Sequence, residues 1–429
     1  MQSTPRGNRV HIALFGRRNA GKSSLLNALT RQEVSIVSEL PGTTTDPVEK
    51  PMEMLPLGPV QFIDTAGIDD SGALGDLRVA KTRSVIDRAD VAVIVSPQGE
   101  WGIFEESLLA ELQSRKTPVI AVFNKSDLGH PDPELPKRLN AAGIPTLQAI
   151  ATAGAGILDL RAALIQITPQ ELIMPPAILG DLVPAGEMAV LVVPIDMEAP
   201  KGRLILPQVQ IIRDLLDNDA YCVVVKEREL RAALDRLKSP PALVVTDSQA
   251  FLKVAADTPR SVKLTSFSIL FARHKGDLVE FVRGVMAIED LKPGDTVMIC
   301  EACSHHPIGD DIGRVEIPRW LRQYVGGDLK FVHRQGHDFP DDLAGISIVV
   351  HCGACVQNRR EMLSRIMKCN RAGVPITNYG MTIAYTLGIF ERALEPFPSA
   401  LAVFANQKKA RATAIPPIHA PSLLSIPEK

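Results

Sequence analysis

Short apolar runs recur along the first 170 residues, and each is followed by a stretch with the mixed polarity of an amphipathic helix. The runs at 10–15, 60–63, 91–95 and 119–123 are almost entirely apolar, with His11 and Gln61 as exceptions, which is typical of strands buried on both faces of a parallel sheet. Strands that alternate with helices predict an α/β fold. We therefore expect residues 1–170 to form an α/β domain built on a parallel sheet.

The same alternation returns twice farther along the chain. Clustered prolines predict a linker over residues 171–187. Apolar runs separated by helix-like stretches then predict a second α/β domain over residues 188–290 and a third over residues 291–406. Several prolines and few large apolar residues predict a flexible tail over residues 407–429.

The composition of the chain limits the classes of partner that it is expected to bind. The 429 residues are 45% hydrophobic and 22% charged, with a formal net charge of −2, so the chain has no general attraction to nucleic acid or membranes. No apolar run is long enough to span a bilayer, and the N-terminus lacks a hydrophobic signal segment. We therefore expect a cytoplasmic protein that binds neither nucleic acid nor membrane.

The first predicted strand leads directly into a phosphate-binding sequence. Residues 16–23 read GRRNAGKS, which fits the pattern G-x-x-x-x-G-K-S/T, and an apparent helix follows. The glycines let backbone N–H groups surround phosphate oxygens, Lys22 supplies a cation to the distal phosphates, and Ser23 supplies a hydroxyl to Mg²⁺. This P-loop predicts a nucleotide-binding G domain. Its predicted nucleotide contacts are Gly16, Asn19, Ala20, Gly21, Lys22, Ser23 and Ser24.

Two further elements follow in order and identify the nucleotide. Asp64 ends the second apolar run, where its carboxylate can hold Mg²⁺, and the N–H of Gly67 can meet a γ-phosphate. Asp127 can accept hydrogen bonds from both N1–H and the 2-amino group of guanine, a donor pair that adenine lacks. The predicted nucleotide is therefore GTP. The other predicted base contacts are Asn124, Lys125, Thr152 and Ala153.

A threonine-rich stretch at 42–46 predicts a switch segment, in which Thr44 reaches Mg²⁺ only while the γ-phosphate is present. With Asn19 and this Gly-Thr-Thr sequence, residues 8–165 resemble the translation-factor-related G proteins, in the branch of the tRNA-modification GTPase and the Era and Der GTPases. Ile68 stands where Ras-like enzymes carry a water-positioning glutamine. The resemblance therefore implies slow GTP hydrolysis that is stimulated by a K⁺ ion bound near Asn19. The implied catalytic residues are Lys22, Thr44 and Gly67.

The third domain carries a second candidate site. A C-x-H sequence at 303–305 and an H-C-x-x-C sequence at 351–355 each follow a strand-like run, so both come to the carboxyl edge of a parallel sheet. Thiolates suit either an iron–sulfur cluster or zinc, and the residues alone leave both open. Cys300 is a rival thiol three positions before the first motif cysteine. The candidate ligands are Cys303, His305, His351, Cys352 and Cys355.

The combination of a G domain, a middle α/β domain and these two motifs resembles the FeFe-hydrogenase maturation GTPase (HydF) family over nearly the whole chain. The resemblance implies a homodimer formed by the middle domain and a four-iron four-sulfur cluster held by Cys303, Cys352 and Cys355. The ligand roles of His305 and His351 are less defined. It also implies a scaffold that receives a transient di-iron precursor from two radical-SAM maturases and delivers it to the FeFe-hydrogenase apoprotein.

Two other functions fit parts of the sequence. An RNA- or ribosome-associated GTPase with a zinc-binding third domain needs a basic, aromatic surface, whereas this chain is slightly acidic and 4% aromatic. A dimeric interaction module with an inactive P-loop is disfavoured by the intact nucleotide motifs. Residues 377–380 can form either a turn or part of the cysteine site. The residues expected to be packing or ordinary surface groups are Cys222, Cys369, His306, His333 and His337.

Overall fold

The protein is described here from a computed structural model, which covers residues 4–30, 47–65, 81–194, 204–302 and 311–414. Three sheets follow one another along the chain, and helices connect most of their strands. The fold is therefore α/β, a P-loop G domain with a mostly parallel sheet followed by two further α/β units, and the predicted fold class is confirmed.

The first unit contains a six-stranded sheet of order β2-β3-β1-β4-β5-β6, in which only the β2–β3 pair is antiparallel. One hydrophobic cluster packs on each face of this sheet. Its strands are β1 (Val10–Phe15), β2 (Val48–Met54), β3 (Gly58–Asp64), β4 (Val91–Pro97), β5 (Val119–Asn124) and β6 (Thr146–Ala149). Its helices are α1 (Lys22–Thr30), α2 (Ile103–Ser114), α3 (Glu134–Ala141), α4 (Ile157–Ile167) and α5 (Gln170–Ile173).

The second unit contains a four-stranded parallel sheet of order β10-β9-β7-β8, so β8 is an edge strand. Its strands are β7 (Met188–Val192), β8 (Tyr221–Val225), β9 (Leu243–Thr246) and β10 (Lys263–Ser266). Its helices are α6 (Leu206–Asp217), α7 (Leu230–Arg236), α8 (Phe251–Asp257) and α9 (Phe267–Lys275).

The third unit contains a parallel sheet of order β12-β11-β13-β14 and shares one continuous hydrophobic core with the second unit. Helix α10 packs against β14 and α15, so it belongs to the third unit. Its strands are β11 (Thr296–Glu301), β12 (Lys330–Gln335), β13 (Ile348–His351) and β14 (Ile376–Asn378). Its helices are α10 (Leu278–Met286), α11 (Ile317–Val325), α12 (Arg359–Ala372), α13 (Tyr379–Thr386), α14 (Phe390–Ala393) and α15 (Pro398–Ala414).

Two predicted boundaries need correction. Part of the predicted linker is core: Leu179 is fully buried, and the Asp214 carboxylate accepts hydrogen bonds from the backbone N–H groups of residues 178–180 at 2.7–3.0 Å. The predicted tail also starts too early, because α15 continues to Ala414 and Arg411 pairs with Asp290 at 2.6 Å. Among the described helices, none combines the length and apolar character needed to cross a bilayer.

Candidate functional site

The phosphate-binding loop connects β1 to α1 and requires its glycines. Gly16 and Gly21 have φ angles of +152° and +88°, a region that side chains with a Cβ rarely adopt. A Cβ at Gly16 would lie 2.2 Å from the Val95 carbonyl oxygen, and one at Gly21 would lie 2.2 Å from Asn124 Nδ2. The loop therefore packs against β4 and β5, where only glycine fits. Asn19 is exposed with a φ of +61°.

The predicted magnesium ligands come together beside this loop. Ser23 Oγ donates to Asp64 Oδ2 at 2.6 Å, and Asp64 is fully buried at the end of β3. Lys22 Nζ donates to the carbonyl oxygens of Gly16 and Arg17, each at 2.9 Å, which holds its charge inside the loop. A hydroxyl, a carboxylate and a cation at one loop suit a nucleotide phosphate with Mg²⁺. Thr44 and Gly67 lie outside the described residues.

The predicted base contacts lie at the carboxyl ends of β5 and β6, which pair in parallel up to Asn124 and Ala149. Asn124 is buried, and its side chain braces the neighbouring loops. Asp127 is exposed on the turn that follows β5. Thr152 and Ala153 are exposed on the turn that follows β6, and Lys125 precedes Asp127 with a φ of +57°. These exposed groups share one sheet edge, where a guanine base can approach.

No pattern in the sequence predicts one of the ion pairs at this loop. Arg17 Nη2 donates to Glu105 Oε2 at 2.7 Å, and the same carboxylate oxygen accepts from Gly102 N at 2.9 Å. Glu105 lies in the first turn of α2 and is fully buried. The pair therefore joins the phosphate-binding loop to the start of α2. No local pattern links residues 88 positions apart.

In the third unit, β11 and β13 bring the cysteine motif together with the segment before Cys303. Cys352 N donates to the Cys300 carbonyl at 2.8 Å, and Ala302 N donates to Cys352 Sγ at 3.0 Å. Burial raises the pKa of Cys352, whereas the N–H groups of Ala354 and Ala302 act in the opposite direction. A sulfur that already accepts backbone N–H bonds is suited to hold negative charge as a thiolate.

His351 is fully buried at the end of β13, and both of its ring nitrogens are hydrogen-bonded. Arg365 Nη1 lies 2.7 Å from Nε2, and the Cys352 carbonyl oxygen lies 2.8 Å from Nδ1. Because a guanidinium only donates, Nε2 accepts and Nδ1–H donates to the carbonyl. Burial and then the Arg365 charge lower the pKa of His351 to about 3, so the ring is neutral. In this arrangement His351 supports the cysteine turn and has no nitrogen open to a metal ion.

The other described cysteines are packing groups. Cys300 and Cys369 are fully buried in the shared core, and burial raises the pKa of each thiol to about 12. Cys222 is half-buried on β8, and burial raises its pKa as well. Cys300 and Cys369 therefore pack within the apolar core, and Cys222 packs against it. His306, Cys303 and His305 lie outside the described residues.

No group of three or more Cys, His, Asp or Glu side chains within the described ranges is arranged to hold a metal ion. Cys352 and Cys355 are the two motif cysteines inside those ranges, and both are partly buried. The hydroxyl of Tyr379 is buried without a hydrogen-bond partner in the described structure. A Cβ at Gly313 would lie 2.3 Å from that hydroxyl and 2.8 Å from Glu301 Oε1.

An orphaned hydroxyl costs about 1–3 kcal/mol, and sulfur atoms of a cluster can accept its hydrogen bond. The two described thiols and this hydroxyl are groups that a thiolate-bound cluster would use, and the third predicted thiol, that of Cys303, lies outside the described residues. Within residues 377–380, Asn378 is structural, because its side chain caps α13 by accepting from Met381 N at 2.9 Å. His337 is hydrogen-bonded to Glu361 at 2.9 Å, and His333 is partly buried.

Three family models match the chain. The hydrogen maturase F dimerization domain matches residues 178–276, and the hydrogen maturase F tetramerization domain matches residues 279–396. The 50S ribosome-binding GTPase model matches residues 11–125. The first unit is thus a G domain of the GTPase class, and the second and third units match two domains of one family.

Curated proteins and solved structures also match part of the chain. The tRNA modification GTPase MnmE of Nitrosomonas europaea is 39% identical over 160 residues, which cover 37% of this chain and 34% of that protein. For MnmE of Synechococcus sp. strain JA-3-3Ab, identity is 40% over 166 residues, with coverages of 38% and 34%. The chain therefore spans about a third of the length of these relatives. Era from Aquifex aeolicus is 20% identical with a TM-score of 0.35, covering 58% of this chain and 99% of Era.

Proposed function

The chain belongs to the hydrogen maturase F family, and from this premise we propose that it is a GTP-hydrolysing scaffold for the di-iron subcluster of FeFe-hydrogenase. In this proposal the first unit binds GTP and Mg²⁺, and the third unit binds a four-iron four-sulfur cluster through Cys303, Cys352 and Cys355. The scaffold receives a transient di-iron precursor from radical-SAM maturases and transfers it to the apo-hydrogenase. The observation that carries the cluster assignment is the bond from Ala302 N to Cys352 Sγ, which joins the two motif-bearing segments.

The nucleotide half of the proposal rests on the phosphate-binding loop and the Ser23–Asp64 pair. Lys22 neutralises the distal phosphates, while Thr44 and Gly67 contact Mg²⁺ and the γ-phosphate. Hydrolysis is slow because Ile68 replaces the water-positioning glutamine, and a K⁺ ion near Asn19 accelerates it. The GTPase then acts as a switch and not as an enzyme of metabolism.

In the cluster half, a cluster held by three cysteines supplies an iron with a coordination position for a further donor. Three residues of the chain support the proposed cluster site. The Ala302 N–H stabilises the Cys352 sulfur, and His351 holds the turn through the Cys352 carbonyl. Tyr379 offers its buried hydroxyl as a hydrogen-bond donor. Hydrogen bonds to cluster sulfurs raise the reduction potential of a cluster, so these donors favour its reduced form.

The second unit mediates self-association in this proposal, and its partner surface is a second copy of the same unit. Strand β8 is an edge strand, and two of its large hydrophobic side chains, those of Tyr221 and Val224, are 51% and 43% exposed. On the preceding helix α6, Val209 and Leu216 are 43% and 59% exposed. A long edge strand with exposed apolar side chains is an aggregation hazard unless another strand covers it. The dimerization-domain match over residues 178–276 supports self-association of this unit, and the exposed edge is the surface that we propose for it.

Anaerobic reconstitution of the full chain with iron and sulfide tests the cluster assignment. We expect a brown protein with about four irons and four sulfides per chain, and loss of the colour in Cys352→Ser. Cys222→Ser is the matched control and keeps the cluster. A colourless protein that binds one zinc instead supports the alternative, an RNA- or ribosome-associated GTPase with a zinc-binding third unit.

A further inference from the structure

The turn that carries Cys352 is the end of a buried hydrogen-bond network. His351 contacts the Cys352 carbonyl, and Arg365 on α12 contacts His351. Arg365 Nη2 also donates to Glu361 Oε1 at 2.7 Å and to the Gly336 carbonyl at 2.6 Å. Arg365 and Glu361 are 3% and 4% exposed, so this ion pair lies in a low-dielectric environment. Any movement of the pair is therefore transmitted to the His351 ring and the cysteine turn.

The network does not end within the third unit. Glu361 Oε1 accepts from His337 Nδ1 at 2.9 Å, and the other ring nitrogen of His337 lies 3.3 Å from Arg88 Nη1 in the G domain. A guanidinium only donates, so His337 accepts from Arg88 through Nε2 and donates to Glu361 through Nδ1. Asn358 strengthens the junction, because its side chain donates to the Arg88 carbonyl at 2.8 Å. One continuous set of bonds thus joins the two units.

At the G-domain end, the same Arg88 Nη1 that contacts His337 also donates to Glu49. Glu49 lies on β2, where it pairs with Ile63, and its neighbour Val48 pairs with Asp64. Asp64 here accepts from Ser23, and both side chains are the proposed ligands of the Mg²⁺ that bridges the β- and γ-phosphates of GTP, so loss of the γ-phosphate in GDP changes the contacts of Asp64. Nucleotide binding therefore acts one residue away from the carboxylate that holds Arg88.

We propose that Arg88, His337, Glu361 and Arg365 form a relay through which bound nucleotide sets the reactivity of the cysteine turn. Its four members are positioning residues, since none touches the nucleotide or the cysteine sulfurs. Arg88 is shared between Glu49 and His337, so a change in β2 alters how strongly it holds His337. The proposal rests on GTP binding by the first unit and does not require that a cluster be bound.

Thiol alkylation of the metal-free full chain tests the relay. The chain is saturated with GDP or with a non-hydrolysable GTP analogue, both with Mg²⁺, and the iodoacetamide reaction rates at Cys352 and Cys355 are read by peptide mass spectrometry. We expect the rates to differ between the two nucleotides by about fivefold or more, the lower end of typical allosteric couplings. In Arg88→Gln the ratio of the alkylation rates in the two nucleotides should fall to about one. Cys369, which is fully buried, reports unfolding if it becomes reactive.

Two further variants, a second relay variant and a control, allow the relay to be tested even if Arg88→Gln does not fold. His337→Phe removes both bonds at a side chain that is 45% exposed, so it should fold even where Arg88→Gln does not, and its ratio should also fall to about one. Arg138→Gln is the matched control, because Arg138 is an exposed arginine of the same domain that pairs with Glu106. It should keep the wild-type ratio.

Equal rates in both nucleotides for the wild type, or a wild-type ratio in both relay variants, would overturn the relay. Failure of cluster reconstitution is a separate result. It removes the scaffold assignment and leaves the alkylation ratios readable.

Discussion

Asn124 Nδ2 donates to the Ala20 carbonyl at 2.9 Å, which joins the end of β5 to the phosphate-binding loop. The other side-chain atom, Oδ1, accepts from Ala151 N at 3.1 Å, and both bonds are buried. One asparagine therefore braces three loops of the nucleotide site. We therefore expect Asn124 to support GTP binding by fixing these loops against each other, and exposed groups such as Asp127 to contact the base.

Replacing Asn124 by alanine tests this brace. The buried Ala20 carbonyl and Ala151 N–H lose their partners, and each loss costs about 1–3 kcal/mol. We expect the free energy of unfolding of the G domain to fall by about 2 kcal/mol or more and GTP affinity to fall at least roughly tenfold. Urea denaturation and calorimetric titration with GTP measure the two effects. Asn140→Ala, at an exposed asparagine bonded to Thr146, is the control and should change stability by less than about 0.5 kcal/mol. Equal effects in both variants would contradict the brace.

Asp127→Asn should change base selectivity. The carboxylate accepts from N1–H and the 2-amino group of guanine, whereas an amide offers one acceptor and one donor. A lost hydrogen bond to a charged group costs about 1.5–3 kcal/mol, so GTP affinity should fall roughly 10- to 100-fold. Xanthine carries an oxygen in place of the 2-amino group, so XTP should gain affinity. Competition of both nucleotides against a fluorescent GTP analogue provides the measurement, and unchanged GTP preference would exclude Asp127 as the base-reading residue.

The parts of the fold that follow local rules could be predicted from the sequence. Strands β1, β4 and β5 are mostly apolar because both of their faces are buried, and that property is visible in a short window of the sequence. The phosphate-binding loop could also be predicted, because its backbone geometry requires the glycines and Lys22 within a stretch of eight residues. The HydF resemblance, drawn from motif spacing, is confirmed by the family matches over 178–396.

Features that depend on distant contacts could not be predicted. Strand β2 was missed because it is an edge strand that contains Pro51 and alternating charges, a pattern that reads as a loop. The sequence predicts His351 as a candidate ligand, because no residue near it in sequence reveals that Arg365 contacts its Nε2. The contact between Arg88 and His337 joins residues 249 positions apart and has no local signature.

Val224→Lys tests the proposed self-association surface. Val224 is exposed on the edge strand β8, and a lysine ammonium there opposes burial against a second copy. We expect the dimer dissociation constant, measured by sedimentation at several concentrations, to rise at least roughly tenfold. Leu252→Lys is the matched control, because Leu252 is 54% exposed on α8 of the same unit, away from β8. If both variants associate as the wild type does, β8 is not the interface.

His274 makes stability depend on pH. Burial first, and then the charges of Lys275 and Arg359, lower the pKa of this imidazole to about 4 from its ordinary value of 6.5. Between these values the unfolded chain binds a proton that the folded chain does not, so the free energy of unfolding falls as pH drops from 6.5 towards 4. Above pH 6.5 the group has no such effect.

His274→Gln removes this titration and retains a hydrogen-bonding side chain. The difference in free energy of unfolding between variant and wild type should therefore move in favour of the variant by about 2 kcal/mol between pH 7.5 and pH 5. Every other titrating group is present in both proteins and cancels in the difference. Asn140→Ala, at an exposed side chain that does not titrate, is the control, and its difference from wild type should be the same at both pH values. A difference for His274→Gln that is the same at both pH values would show that the folded protein accommodates the protonated ring, contrary to its burial.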